Sequence, residues 1–487
     1  MKTKKYFAVF EEGSKINQIF CAILINLPVF AYGASIGWMS PMTLLLQSKD
    51  SPTEEPLSNF NISWMASIGY LTCIPADFLM AFMSDKFGRK LSLLFISAAL
   101  SVSWVLMLSS LNVYVMIFAR AIIGIIMGGS FVTCPVYTKE ISDDSIRGAL
   151  GCLVILFQTS GNLFLYIIGD ILSYRNILWI CLAMPVFHLV VFMMMPESPS
   201  YLVKTGKVEE AQRVLAWLKC RDEDHPDIQR ELERIKKEQL KDEESSKFML
   251  KTIVTDKILF RAFCIATVVT VGREICGAIT VLNYAGEIFE YASEGDNLVL
   301  TPNQQAMVLG SVQVMGAMLA SGIVDKAGRK SLLFVTSLLS GLSMCALASW
   351  FLSRDFGAFP PTWLPIVTLC ICIFCDSLGL QPISVVLVGE IFSYKYRGTM
   401  LAITMSSASL LAFLQLLFFK TIADSIGVYV AFFLFGAVCL LVALYVMLAV
   451  PETKNRRLEE IYSDLRSKKE KEKDNEIENA KEENVRL

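Results

Sequence analysis

The chain has 487 residues, 54% of them hydrophobic and 18% charged, with a formal net charge of −2. Its mean hydropathy of +0.52 is too high for domains that bury their cores against water, which excludes a soluble enzyme or binding domain and indicates a membrane protein. No nucleic-acid partner is expected, and no Gly-rich nucleotide-binding loop accompanies the apolar segments.

In chain order, stretches free of Asp, Glu, Lys and Arg cover 16–48, 91–119 (interrupted by the polar Asn112), 148–169, 176–196, 297–324, 331–353, 398–419 and 425–451. Four more apolar spans carry isolated charges: 62–83 with Asp77, 113–137 with Arg120, 258–284 with several, and 363–388 with Asp376. A helix crossing the ~30 Å hydrocarbon layer needs about 20 residues, and lipid penalises unpaired backbone groups. Twelve transmembrane helices follow. The first stretch is too long for a signal-peptide core and has no convincing cleavage site, so it reads as helix 1.

Lys and Arg in the loops set the orientation. "DKFGRK", "KEISDDSIR", "DKAGRK", "YKYR" and the central and C-terminal polar segments fall on one side, and the other has little beyond Lys49, Arg175 and Arg354. Both termini are therefore expected in the cytosol. Between helices 6 and 7, Val208, Ala211, Leu215 and Leu218 form one helical stripe and Ile228, Leu232 and Ile235 another, which predicts short amphipathic cytosolic helices. The highly charged tail after Leu465 has almost nothing to bury and reads as disordered. The expected organisation is a cytosolic N-terminus (1–15), a six-helix bundle (16–203), linker helices (204–257), a second six-helix bundle (258–450) and a cytosolic tail (451–487).

Thirteen Cys and two His add little chemistry. "CICIFC" lies within an apolar helix with no second ligand pair and reads as packing, so neither metal nor cofactor is expected. The one glycosylation sequon, Asn61-Ile-Ser, is placed in an external loop close to the membrane.

The strongest organisational signal is an internal repeat. "DKFGRK" (85–90) recurs as "DKAGRK" (325–330), Glu140 and Arg147 recur at the same spacing as Glu390 and Arg397, and "PESPS" (196–200) recurs as "PETKN" (451–455). Two six-helix halves in the same orientation make an all-α membrane protein of parallel-repeat type. Helix C-termini favour nearby cations, Gly88 and Gly328 allow tight turns, and Arg holds carboxylates bidentately. Asp85, Arg89, Glu140 and Arg147 of one half, with Asp325, Arg329, Glu390 and Arg397 of the other, are accordingly read as a cytosolic gate. As topology signals and loop staples alone they would leave the duplicated Glu-to-Arg spacing poorly explained.

These motifs, together with "RAIIGIIMGGSFVTCPVYTKEISDDSIRG" and "GEIFSYKYRG", resemble the sugar porter family of the major facilitator superfamily over about residues 16–465. Within it, "GASIGWMSP" (33–41) and "SGNLF" (160–164) are most similar to insect facilitated trehalose transporters. The resemblance implies two bundles rocking about a midplane site, a plasma-membrane location, and a sugar such as trehalose or a hexose, or a related small polar solute, as the partner. It also implies where sugar contacts should lie, and there the chain departs from the family. The helix 7 pattern Gln-Gln-x-x-Gly-x-Asn is matched by Arg273, Glu274 and Ile279 with Gly277 kept. The helix 10 Trp is matched by Val385, the helix 11 Asn-Trp pair by Ala408 and Ser409, and the helix 8 Asn by Gln313. Gln158, Asn162, Asn283, Ser377 and Gln381 remain to line the cavity alongside Arg273, Glu274 and Gln313. An amide there can both donate to and accept from a sugar hydroxyl.

Proton-coupled members carry an Asp in helix 1 where this chain has Ser35, which implies facilitated diffusion. Asp77 is an intramembrane acid and a functional candidate by default; its alternatives are pairing with Arg120 or Arg273, a substrate or proton role, or exposure to a wet cavity. A non-transporting membrane sensor keeping the same fold is the alternative function, against which the short tail counts.

Overall fold

The computed structural model describes residues 13–53, 55–243, 255–293, 300–358, 360–392, 394–454, 456 and 458–465. The expected disordered tail after Leu465 and most of the cytosolic N-terminus lie outside them. Among the described residues, twelve membrane-length rods follow one another, and eleven are both long and apolar enough to cross a membrane. The remaining rod, helix 8 (Pro302–Ala327), has 26 residues and at ~1.5 Å per residue is long enough to span. Helices 1 to 6 (starting at Ile16–Gly37, Asn59–Phe87, Arg89–Ser109, Val113–Ile141, Leu153–Ile171 and Tyr174–Phe192) form one bundle, and helices 7 to 12 the other.

Small residues let the rods approach. In helix 5, Gly161 packs on the Phe30 carbonyl of helix 1, and Gly33 of helix 1 packs on the Gln158 carbonyl of helix 5; a Cβ at either would overlap that oxygen. With no hydrophobic force between helices in lipid, such close backbone contact supplies much of their association.

Helices 1, 7 and 10, among others, differ from a single straight helix. Helix 1 is continued by Met39–Gln47 after Trp38. Helix 10 runs as Leu364–Cys375, a π turn at Asp376–Leu380 and Gln381–Ile391. Helix 7, expected to end near residue 284, is Lys257–Ile275 followed by Ala278–Ser293, broken at Gly277, whose φ of +92° suits glycine. Helix 11 (Tyr394–Ser425) also continues past its charge-free stretch. The sequon residue Asn61 sits in the first turn of helix 2 and not in a loop, with its N–H donated to the N-cap hydroxyl of Ser58.

Among the described residues, the linker carries the helices Val208–Leu218 and Pro226–Glu243, with Pro199–Lys204 just before them. Leu202, Val203, Ala211, Leu215, Ile228, Leu232 and Ile235 close a small core of their own, so the two apolar stripes read from the sequence meet there, except that Leu218 packs into the main core. This core docks on the first bundle through Lys219 to Asp143 at 2.9 Å, Arg234 to Asp144 at 3.1 Å, and the Asn17 amide to the Trp217 carbonyl at 2.7 Å. The membrane face bearing these helices is called the linker side below, and the opposite face the far side.

Candidate functional site: the seam between the bundles

Four of the expected solute contacts meet in pairs across the seam. The Asn162 amide of helix 5 donates to Gln313 of helix 8 at 2.9 Å, and the Gln381 amide of helix 10 donates to Gln158 of helix 5 at 3.1 Å. Asn283 turns back to the Ile279 carbonyl at 2.9 Å, and the buried Ser377 hydroxyl has no hydrogen-bond partner. Asn162 and Asn283 each keep a buried oxygen without a donor. Buried polar groups in that state cost about 1–3 kcal/mol each until something bonds to them. Of the positions where the family pattern is lost, Ile279, Ala408 and Ser409 are buried, whereas Val385 is 43% exposed.

The helix 7 charges lie beside this polar seam. Arg273 closes the last turn before the Gly277 break, and the π turn of helix 10 presents Asp376 to it. The guanidinium holds Asp376 bidentately, Nε to Oδ1 at 3.1 Å and Nη2 to Oδ2 at 3.3 Å, and also bonds Glu274. Of the possible acids, Asp376 is thus the inter-helix partner. Although adjacent helical side chains diverge by about 100°, the long Arg273 side chain turns back to its neighbour as well. Glu274 is buried, and its Oε2 has no donor. The pairing of Asp77 with Arg120 or Arg273 is not found among the described residues. Asp77 accepts from the Cys73 thiol at 3.5 Å, while Arg120 donates to the carbonyls of Met65 at 3.0 Å and Ser35 at 2.6 Å and lies over Trp38.

At the linker side the repeat builds the same staple twice. Arg89 bonds Glu140 at 3.0 Å and Asp85 at 3.1 Å, and Arg329 bonds Glu390 at 2.9 Å. Ser198 and Thr453 hydroxyls donate to Glu140 and Glu390 in turn. Glu197 accepts the first N–H groups of helix 3 and Glu452 those of helix 9 (Arg329–Asp355), satisfying helix N-termini with an anion. The two carboxylates differ electrostatically. Burial raises Glu197 above its ordinary value against the N–H donors of Ser198, Lys90 and Arg89. At Glu452 burial also pushes upward, but the N–H groups of Lys454, Arg329, Lys330 and Thr453 outweigh it and the carboxyl is held low. Arg147 bonds Asp144 and the Ser142 carbonyl of its own half. The staple pairs therefore each close within one bundle. The side chains of Asp325 and Arg397 lie outside the described residues.

On the far side a polar clasp joins the bundles through residues absent from the sequence-based set. Lys420 of helix 11, 2% exposed, bonds Glu287 of helix 7 at 2.8 Å. It also donates across the seam to Gln47 at 2.8 Å and Asn59 at 3.2 Å. Asn59 in turn donates to Asp424 at 2.7 Å, and the Gly286 N–H donates to the Ser40 hydroxyl at 2.8 Å. With helix 7 expected to end near Tyr284 and helix 11 at Phe419, Glu287 and Lys420 fall just outside the expected spans, which hides this clasp in the sequence. The usable signal was the reverse: opposite charges one turn beyond two adjacent apolar runs.

The comparisons agree with this architecture. Residues 19–465 match the family described as "Sugar (and other) transporter". The facilitated trehalose transporter Tret1 of Bombyx mori is 26% identical over 454 residues, covering 92% of this chain and 87% of that protein. Its counterpart from Apis mellifera ligustica is 26% identical, covering 91% and 87%. Among solved structures, the inward-open xylose transporter XylE from E. coli superposes with a TM-score of 0.76 at 20% identity, covering 92% of this chain and 99% of that one. Its partially occluded form gives 0.73. The fold is that of the major facilitator superfamily, and this multi-pass membrane protein belongs to the sugar (and other) transporter family.

Proposed function

We propose that the protein carries a small hydroxyl-rich solute of the sugar class across the plasma membrane by alternating access, with both termini in the cytosol. The observation that supports this best is the pair of cross-seam amide bonds, Asn162 to Gln313 and Gln158 to Gln381. Each joins two groups that donate and accept, so a sugar hydroxyl can enter between them and replace one bond with two. The neighbouring unpaired oxygens of Asn162 and Asn283 await donors, which hydroxyls supply.

The repeated staples of Arg89 with Glu140 and Arg329 with Glu390 act as the cytosolic gate, joined by Arg147 and Arg397 when that side closes, and the Lys420 clasp acts as the outer gate. Cross-seam bonds running from the midplane to the far side support an outwardly closed arrangement. Transport runs downhill. Ser35 carries no acid, and its hydroxyl is bonded to the Ala31 carbonyl of its own helix at 2.9 Å.

The test is uptake of labelled trehalose, hexoses, pentoses, amino sugars and polyols by proteoliposomes. Saturable, counterflow-competent movement of at least one of them is expected. Asn162→Ala and Gln313→Ala should each reduce its kcat/KM by about tenfold, as expected for ~1–1.5 kcal/mol per lost hydrogen bond. Absence of uptake, counterflow and binding across the panel would overturn the reading. Loss of uptake on adding a protonophore would overturn its downhill part.

A further inference from the structure

Arg273, Glu274 and Asp376 bring one positive and two negative charges together inside the bundle. Asp376 uses both oxygens on Arg273, but Glu274 uses only Oε1. Its Oε2 is buried with no hydrogen-bond partner, on a residue 7% exposed. An orphaned amide can be rescued by turning its head group over, whereas a carboxylate oxygen can only accept. Such a net-negative group is stable at depth only when a cation or proton reaches it.

The surroundings distinguish these two. Across the seam, the hydroxyls of Tyr32 in helix 1 and Tyr70 in helix 2 lie in electrostatic range of Glu274, as does the Cys73 thiol. Both rings are buried, and aromatic faces attract organic cations. The first-bundle Arg120 is turned to the Met65 and Ser35 carbonyls and to Trp38, so its guanidinium is engaged away from Glu274. The amides of Asn162, Asn283 and Gln313 at the same seam suit a hydroxylated ring.

We infer that the solute bears a protonated amine on a sugar-like ring, an amino sugar, with its ammonium bonded to Glu274 Oε2 and its hydroxyls on the seam amides. This rests on the transport reading above and specifies its substrate class. Arg273 and Asp376 are positioning residues that hold Glu274 Oε1 and leave Oε2 for the ligand.

The experiment compares uptake of labelled glucosamine, N-acetylglucosamine, glucose and trehalose by proteoliposomes, with thermal-shift binding of the same probes to detergent-solubilised protein. Glucosamine is expected to be favoured at least tenfold over glucose and its N-acetyl isostere. The preference should collapse when pH is raised until the amine is neutral, which needs no variant. Glu274→Gln should lower the glucosamine-to-glucose ratio at least tenfold, while Glu274→Asp retains part of it. Equal handling of glucosamine and glucose by the native protein overturns the amine assignment while leaving sugar transport intact. Neutral-sugar uptake that carries protons, and stops doing so in Glu274→Gln, assigns Oε2 to a proton and also overturns it. No binding or uptake of any probe instead removes the transport reading itself.

Discussion

The bidentate hold of Arg273 on Asp376 puts three side chains into one energetic unit, so their substitutions cannot be read singly. Removing one partner of a buried pair costs ~3–5 kcal/mol because the survivor stays charged and dry, whereas replacing the whole set with neutral groups of similar shape is often nearly neutral. Arg273→Gln would leave Glu274 and Asp376 facing each other without a cation, and Arg273→Gln with Glu274→Gln would leave Asp376 alone at 1% side-chain exposure. We therefore expect both to lower the thermal transition markedly in detergent, and the triple variant adding Asp376→Asn to regain most of the loss. The triple variant should also shift acceptance toward neutral hexoses or trehalose. Additive losses across the series would show that the three groups do not form a unit. The sequence located Arg273 and Glu274 at the seam because the rest of helix 7 aligned with a family pattern. That Asp376 is the acid Arg273 meets depends on the π turn of helix 10, which charge spacing does not reveal.

At the scale of elements, glycine contacts and linker docking set different sensitivities. Gly33 and Gly161 let helices 1 and 5 touch backbone to backbone, so Gly161→Leu should force the pair apart, at ~1–3 kcal/mol or more for overpacking. Lower yield of monodisperse protein checks it, and an undisturbed yield would argue against the contact. The linker is fastened by Asp143, whose carboxyl burial pushes up but whose Lys219 and Gln18 bonds outweigh that, holding it below its ordinary value. A depressed carboxylate contributes docking stability that is fully present above its unfolded value and fades as pH falls through its folded one. Hydrogen exchange over Val208–Leu218 should accordingly stay slow at neutral and mildly acidic pH and rise only below the ordinary carboxylate range. Asp143→Asn should be fast throughout, and Leu215→Asp faster still. Rapid exchange already at mild acidity would place the fastening elsewhere. These linker helices were legible in the sequence because amphipathic stripes at helical spacing are a local property. The helix 7 break was less so, since one Gly in an apolar run does not announce a positive φ.

At the scale of the molecule, the twelve spans and their duplication could be read directly, because lipid requires apolar length and the repeat preserves charged turns. The polar contacts at the two faces were only half legible. Motif repetition exposed the linker-side staples, while the far-side clasp has no repeat and joins Glu287 and Lys420 across 133 residues of sequence. An alternating carrier does not open both faces together, so the clasp and the staples should bias the same equilibrium in opposite directions. Lys420→Met leaves Glu287 buried with only the Tyr291 hydroxyl, at 3.0 Å, for company. That penalty falls on the far-side-closed state, and every ~1.4 kcal/mol of it shifts the two-state ratio tenfold. A reporter cysteine at Leu44, whose side chain lies against Gly286 at the clasp, reads the change through a membrane-impermeant maleimide applied from the far side. Labelling of Leu44→Cys should speed up at least tenfold when Lys420→Met is added. Adding Arg147→Ala instead should slow it, because the arrangement closed at the linker side is then harder to reach. If Lys420→Met leaves labelling unchanged, the clasp is a static strut and the far face opens by another route. If Arg147→Ala leaves it unchanged, Arg147 serves only to hold Asp144 beneath the linker helices.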